Sequence, residues 1–331
     1  MLSKTPFVIF ILSALALIIV LPFSAVAQDG EGGPPMAAAY DAMGQGDWDT
    51  AHAVVAGAGP VARDLVTWTR LRNGAGTFDE YVRFLARRGD WPGTDRIRSA
   101  AEEAMPEGEL PAAVFAFFDG RTPETGEGVV RLAEAYFKNG ERTKANEVLI
   151  AAWTTLGLTE EGHAAIINTF GDIVAPYHAA RAEMLLWRWR TTDTQQLMPL
   201  LGEDQAALAA ARTAYIRDDG DIAQRVAAVP ATLRSDIGLA YDRFSWLAGR
   251  GESTDAIEIL RAQSLSEESL GQPWRWASWR RVLARWEMRE GRSASAYDLA
   301  TSHYLTEGSD FADLEWLAGY IALTYMDRPA T

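Results

Sequence analysis

From residue 36 to residue 325, apolar side chains recur at spacings of three and four, with Ala, Leu, Arg and Glu between them. That is the period of a helix with one buried face, and the period-two alternation of a strand is missing. The pattern predicts an all-α chain. Its punctuation agrees: Thr77-Phe78-Asp79-Glu80 has capping-box form, and Gly89, Gly140, Gly157, Gly220, Gly251 and Gly291 fall where apolar stripes end. Pro60, Pro92, Pro106, Pro111, Pro123, Pro176, Pro230 and Pro273 sit between stripes or at their starts. The helices are therefore short and joined by tight turns.

One sub-pattern recurs. A Gly is followed five residues later by Ala, with apolar residues at plus eight and plus nine: Gly46, Ala51, Val54 and Val55; Gly140, Ala145, Val148 and Leu149; Gly251, Ala256, Ile259 and Leu260; Gly291, Ala296, Leu299 and Ala300. The Gly is expected to close one helix in a left-handed cap, and the Ala to let the next helix approach closely. Gly251 and Gly291 are 40 residues apart, near the roughly 34 of a tetratricopeptide unit. The other spacings are irregular. The expected fold is an all-α, right-handed superhelical α-solenoid of antiparallel helix pairs, tetratricopeptide-like with degenerate repeats, over residues 36–331 after a flexible lead-in at 28–35 rich in Gly, Pro and acidic residues.

The first 27 residues change the picture of where the chain works. Lys4 precedes an apolar run over residues 7–23, and Ala25-Val26-Ala27 stands before Gln28. This is the form of a secretory signal peptide with a small-residue cleavage site. An uncleaved anchor is the competing reading, because the run approaches the roughly 18 residues that span a bilayer; Pro22 and the small residues favour cleavage. The expected location is the periplasm, with no membrane contact once the leader is cut. With Cys 0 the exported chain has no disulfide to draw on, so burial alone must stabilise it. Lys and Arg number 31 against 45 Asp and Glu, a net charge of -14. Nonspecific nucleic-acid binding is therefore excluded as a role, and contact with an anionic polymer needs a local basic patch.

Residues 274–331 carry the most specific signal: Trp279-Arg280, Leu283-Ala284-Arg285, Gly291, Ala296-Tyr297, Leu299-Ala300, His303, then Glu315-Trp316-Leu317-Ala318-Gly319-Tyr320-Ile321-Ala322-Leu323. This stretch resembles the superhelical part of the periplasmic soluble lytic murein transglycosylases, and the helix-pair region upstream looks like the U-shaped domain of the same family. The resemblance implies a scaffold that holds peptidoglycan glycan strands and positions a lysozyme-like catalytic domain, with other cell-wall proteins as possible partners. The family reaction is non-hydrolytic cleavage between N-acetylmuramic acid and N-acetylglucosamine to 1,6-anhydro ends. A tetratricopeptide-like adaptor for a protein partner is the alternative.

The family's catalytic Glu-Ser motif, with a Gly-Leu-Met-Gln-Leu-Met-Pro-like stretch downstream, is not matched. Gln196-Leu197-Met198-Pro199 fits only the tail of that stretch, with Thr192-Asp193-Thr194 before it. Glu252-Ser253 and Glu268-Ser269 are expected in turns, with Ser253 as an N-cap. No catalytic residue is assigned, and the chain alone is expected to be inactive on peptidoglycan.

Other chemistry is thin. Glu102, Glu103, Glu160 and Glu161 are expected on solvated faces. His52, His163, His178 and His303 lack zinc-site spacing and are expected on helix surfaces or half-buried; no metal or cofactor is expected. Residues 30–33 lack the strand and the Lys of a phosphate loop. One constellation stands out: Arg281, Arg285 and Arg289 at i, i+4 and i+8, with Trp276, Trp279, Leu283 and Trp286 on the opposing face. The three guanidinium groups, with Trp279 and Trp286, could read carboxylates and sugar faces; alternatively the arginines pair with neighbouring acids and the tryptophans fill core. Arg188 and Arg190 among Trp187 and Trp189 present the same two readings. Residues 311–325 are apolar on nearly all sides, which predicts an internal solenoid helix with one face left uncovered, in a chain incomplete at its C-terminal end.

The leader makes a simple test: the intact mass of the exported protein should correspond to a chain starting at Gln28, and a retained Met1 would refute cleavage after Ala27.

Overall fold

In the computed structural model, which describes residues 34–329, every regular element among the described residues is helical, as the periodicity requires. The chain divides after Ala75 into two compact units. The first contains α1 (Pro34–Gly44), α2 (Trp48–Val54) and α3 (Pro60–Arg72), closed around Met36, Ala39, Met43, Ala51, Val55 and Val66. The second contains α4 (Phe78–Arg88), α5 (Thr94–Glu103), α6 (Pro111–Phe118), α7 (Gly126–Lys138), α8 (Arg142–Thr155), α9 (Glu160–Val174), α10 (His178–Trp187), α11 (Thr191–Leu197), α12 (Glu203–Arg217), α13 (Ile222–Ala228), α14 (Ile237–Gly249), α15 (Ser253–Gln263), α16 (Glu267–Leu270), α17 (Pro273–Arg289), α18 (Ser293–Thr301) and α19 (Gly308–Tyr325). Each helix packs mainly on the one or two that follow it, so the second unit is a solenoid-like stack with its core spread along the array. Among the described residues, no helix is long and apolar enough to cross a membrane.

The recurring Gly pattern has a single structural meaning. Gly46, Gly140, Gly251 and Gly291 all take positive φ, between 74° and 81°. Each donates its N–H three residues back, and the next residue donates five residues back, at 2.9 to 3.2 Å, which closes the preceding helix as a Schellman motif. That next residue (Asp47, Glu141, Glu252 or Arg292) is also the N-cap of the following helix. Its carbonyl accepts the first helical hydrogen bond from the Ala of the pattern, at 3.0 to 3.1 Å. Ala51, Ala145, Ala256 and Ala296 are all fully buried, where any larger side chain would hold the paired helices apart. The N-cap of α15 is consequently Glu252 and not Ser253: the Schellman turn dictates which residue starts the next helix.

Two expectations fail for one reason, that the phase of a helix does not say what packs over it. Glu102 is buried and not on a solvated face. Its carboxylate accepts hydrogen bonds from Glu124 N (2.9 Å), Thr125 N (2.8 Å) and Thr125 Oγ1 (2.9 Å), capping the start of α7, and burial pushes its carboxyl up to about 7. His178 and His303 are buried as well: His303 Nδ1 accepts from Leu305 N (2.9 Å) while Nε2 meets Glu315 (3.0 Å). In α19 one apolar face is left uncovered, as expected, and only Tyr325 departs from its predicted stripe. Leu314, Leu317, Ala318 and Ile321 are buried, whereas Trp316, Tyr320 and Leu323 are exposed, and Tyr325 is exposed with them rather than sharing the buried stripe. Trp316 and Tyr320 stack on each other with ring centroids 5.4 Å apart.

The largest fully buried side chains include three arginines, Arg181, Arg212 and Arg280. Arg181 donates to Trp153 O (2.7 Å) and Leu156 O (3.2 Å) at the end of α8, and Arg280 to Leu299 O (3.0 Å) in the last turn of α18 and Ser264 Oγ (2.6 Å) past the end of α15. Burial lowers both guanidinium groups to about 10, still charged at neutral pH. The positive charge offsets the negative ends of these helix dipoles.

Around Arg181 lies an arrangement that responds to acid. Its guanidinium sits 4.3 Å from the Trp153 ring centroid, and the His163 and His178 rings lie 5.0 and 5.5 Å from the same ring. Burial first, then the Arg181 charge, holds both imidazoles below their ordinary 6.5. The unfolded chain therefore binds more protons than the native one as pH drops. The contribution is complete above about pH 6.5 and lost as pH falls through the depressed values. Glu102, with its raised carboxyl, acts in the opposite sense, losing stability as pH rises from 4.5 towards 7. The histidine contribution is thus read as a difference. Replacing His163 and His178 by Gln should make thermal unfolding less sensitive to acidification than in the parent, and an identical pH dependence would refute the role given to the pair.

Candidate functional site

Five residues, Arg281, Arg285, Arg289, Trp279 and Trp286, form the site expected from the sequence, and α17 carries all of them. Arg281 turns to α19, where it pairs with Asp310 and, at 3.3 Å, with Asp313. Arg285 is half-buried and Arg289 exposed in the last turn, where a cation suits the helix dipole. Trp279 and Trp286 are half-buried against the core, while Trp276 and Arg280 beside them are fully enclosed. The Arg292 guanidinium covers the Trp286 ring at 4.7 Å and bonds Glu287 at 2.6 Å. The five residues are not gathered in one pocket: Trp286 lines a hollow of about 400 Å³ with Arg261, Glu287 and Arg292. For Arg281 the pairing reading holds.

A different group of aromatic and basic side chains does converge. The turn between α10 and α11 is a fifth copy of the Schellman unit. Trp189 N donates to Leu186 O and Arg190 N to Leu185 O, both at 2.9 Å, and Thr194 N to Arg190 O at 3.0 Å. Thr194 stands where the other copies have Ala, and is fully buried. Trp189 stands where they have Gly, with φ of 57° and half of its surface in water. A bulky L-residue in the left-handed region costs about 1–2 kcal/mol. The ring that bears this cost is not being used to fill core.

Trp189 faces the start of α17. Pro273 opens that helix, where its missing N–H is no loss, and Trp274 follows with 54% of its surface exposed. The Arg275 guanidinium lies 4.5 Å from the Trp274 ring centroid and 5.4 Å from that of Trp189, tying the two exposed indoles together by cation–π contact. Among the described residues, Arg275 Nε is buried without a hydrogen bond, and neither Arg275 nor the exposed Arg188 pairs with a carboxylate. A hollow of about 480 Å³ opens beside them, lined by Glu183, Met184, Trp187, Arg188, Gln272, Trp274 and Arg275. On the other flank of Trp189 a second hollow, about 280 Å³, is lined by Tyr215, Asp218, Ser245, Trp246 and Arg250. Trp246 Nε1 donates to Asp218 there at 2.7 Å.

The floor is held by a buried charge network. Arg212, fully enclosed, bonds Asp242 at 2.7 Å, also bonds Glu183, and lies 3.8 Å from Asp236. Burial pushes the Asp242 carboxyl up to about 7, against the pull of Arg212. Glu183 also accepts from Trp187 Nε1, so one carboxylate fixes both the buried indole and the buried guanidinium under the open surface. Tyr241 OH donates to Arg275 O at 3.3 Å, anchoring the first turn of α17.

Sequence reasoning named Arg188 and Trp189 but did not join them to Trp274 and Arg275. The available signal was the pattern itself, since Trp189, Thr194 and Leu197 keep its spacing with Trp in the Gly position. Arg190 takes the structural reading: it bonds Asp193 and, at 3.2 Å, Leu158 O. Compared with protein-family models, curated proteins and solved structures, the chain matches none.

Trp189 can be judged by thermodynamics alone. Trp189→Gly removes the left-handed strain and restores the residue that four sister turns use, so its melting temperature should equal or exceed that of the parent. A loss of more than about 1 kcal/mol would mean that the ring is structural.

Proposed function

We propose that this chain is a periplasmic helical scaffold that holds glycan strands of the cell wall, as its resemblance to the superhelical domain of soluble lytic transglycosylases implies, and that the chemistry of cleavage belongs to a catalytic domain it positions. The observation that carries the reading is the pair of exposed indoles, Trp189 and Trp274, braced by Arg275. Flat aromatic faces pack against the C–H faces of pyranose rings, and a rigid pair has little ordering entropy left to lose on binding. Gln272 and Glu183 at the hollow's edge offer hydrogen bonds to hydroxyl and amide groups, while Arg188 and Arg275 suit carboxylates. Neither carboxyl raised to about 7 is placed as an open acid catalyst: Glu102 caps a helix and Asp242 is locked to Arg212.

The alternative, an adaptor for a protein partner, draws support from the uncovered Trp316, Tyr320 and Leu323 face of α19, which is the kind of apolar ridge that another helix covers.

Pull-down on purified peptidoglycan sacculi separates these roles. The variant carrying Trp189→Gly and Trp274→Ala should keep its fold and lose most sacculus binding, and the parent chain alone should release no anhydro-muropeptides. Charge reversal at Arg285 and Arg289, which pair with no carboxylate among the described residues, should weaken binding in a salt-dependent way if α17 also contacts the strand. Undiminished binding by the double tryptophan variant would refute the glycan site, and release of anhydro ends would refute the division of labour.

A further inference from the structure

Another hollow lies elsewhere in the second unit, between α6 and α8 across α7, with a volume of about 570 Å³. It falls within the range, about 300–1,000 Å³, of sites that enclose small ligands. Phe115, Phe118, Leu132, Tyr136, Val148 and Leu156 make its interior apolar, with Phe115 and Tyr136 in contact at 5.0 Å. An apolar hollow of that size left open in a closely packed helix array loses dispersion contacts that a bound group would restore.

Its rim is polarised. On the α8 side stand Glu141, Lys144 and Glu147, and Lys144 pairs with Glu141 while also feeling the charge of Glu147, which leaves one negative charge in excess. On the facing turn after α6 stands Arg121, whose guanidinium donates to Phe117 O at 2.8 Å and pairs with no carboxylate among the described residues. A ligand with one anionic end would leave the α8 rim unmatched, and a neutral one would leave both sides unmatched.

We propose that this hollow binds short peptides with free termini and apolar side chains, the carboxylate facing Arg121 and the ammonium facing Glu147, with the side chains against the aromatic interior. The site is separate from the Trp189 and Trp274 surface and does not rest on the glycan reading.

The full chain is titrated with the tripeptide Leu-Phe-Leu by calorimetry, alongside its N-acetylated, C-amidated and doubly blocked forms. Saturable binding is expected for the free tripeptide, with each blocked end weakening it roughly tenfold. Arg121→Gln should erase the preference for a free carboxylate and leave that for a free amine; Glu147→Gln should do the reverse. Ala151 lines the hollow and is otherwise exposed, so Ala151→Trp should fill the space without disturbing the core and abolish binding. Circular dichroism checks its fold, and should it fail to fold, the two charge variants decide. Absence of saturable binding, equal binding of the doubly blocked peptide, or a folded Ala151→Trp protein that binds like the parent would overturn the proposal.

Discussion

Arg181, Arg212 and Arg280 bring positive charge into the interior of a chain with no disulfide, and the arrangement of the helices around them depends on how that charge is satisfied. Burying an uncompensated charge is costly, so each guanidinium fixes the geometry of whatever supplies its acceptors. Arg181 and Arg280 use the carbonyl ends of helices, and Arg212 uses two carboxylates. In all three cases the acceptors come from other helices. Apolar packing alone would let neighbouring helices slide by a turn at modest cost. A guanidinium whose acceptors are main-chain carbonyls at one particular level does not permit that slide, and this is how a degenerate repeat keeps a defined register.

The same physics sets what could be read in advance. The helical class and four of the turns were legible because they are local: a Gly in the left-handed region and an Ala five residues later belong to one short stretch of chain. The pairing of Arg281 with Asp310 and Asp313 joins residues about 30 apart, and the i+4 spacing of Arg281, Arg285 and Arg289 cannot separate the paired guanidinium from two that pair with no carboxylate among the described residues. Glu102, His178 and His303 look like ordinary polar positions of their own helices and loops. Their burial comes from other segments of the chain: the start of α7 over Glu102, Trp153 of α8 against His178, and Phe311 of α19 against His303. What tertiary packing covers was hidden, and what the backbone does within a few residues was not.

The Trp189 turn lies between these cases. Its hydrogen-bonding frame repeats that of the glycine turns without the glycine, so the frame is enforced by α10, α11 and the buried Thr194 rather than by the residue at the bend. Strain that the surroundings impose and the side chain does not relieve is the usual mark of a position kept for what the side chain offers. Here it offers an indole to solvent, opposite a second indole at the first turn of α17. Two rigid elements thus meet at one guanidinium, and the spacing of the aromatic faces is set by the fold before any ligand arrives.

Net charge adds a final constraint on what such a surface can hold. At -14 the chain as a whole repels polyanions, and over distances longer than the Debye length, about 8–10 Å in physiological salt, that repulsion is largely screened. Selectivity must then reside in contacts shorter than this. Arg188 and Arg275 beside Trp189 and Trp274, and Arg121 facing the acidic rim of α8, are local arrangements of that kind, and each sits against an apolar surface that lowers the effective dielectric. A ligand that presents its charge without an apolar face gains little from either. One that carries both is drawn from water by burial and oriented by the charge, and that combination lets an acidic chain bind an anionic group without becoming a general binder of anions.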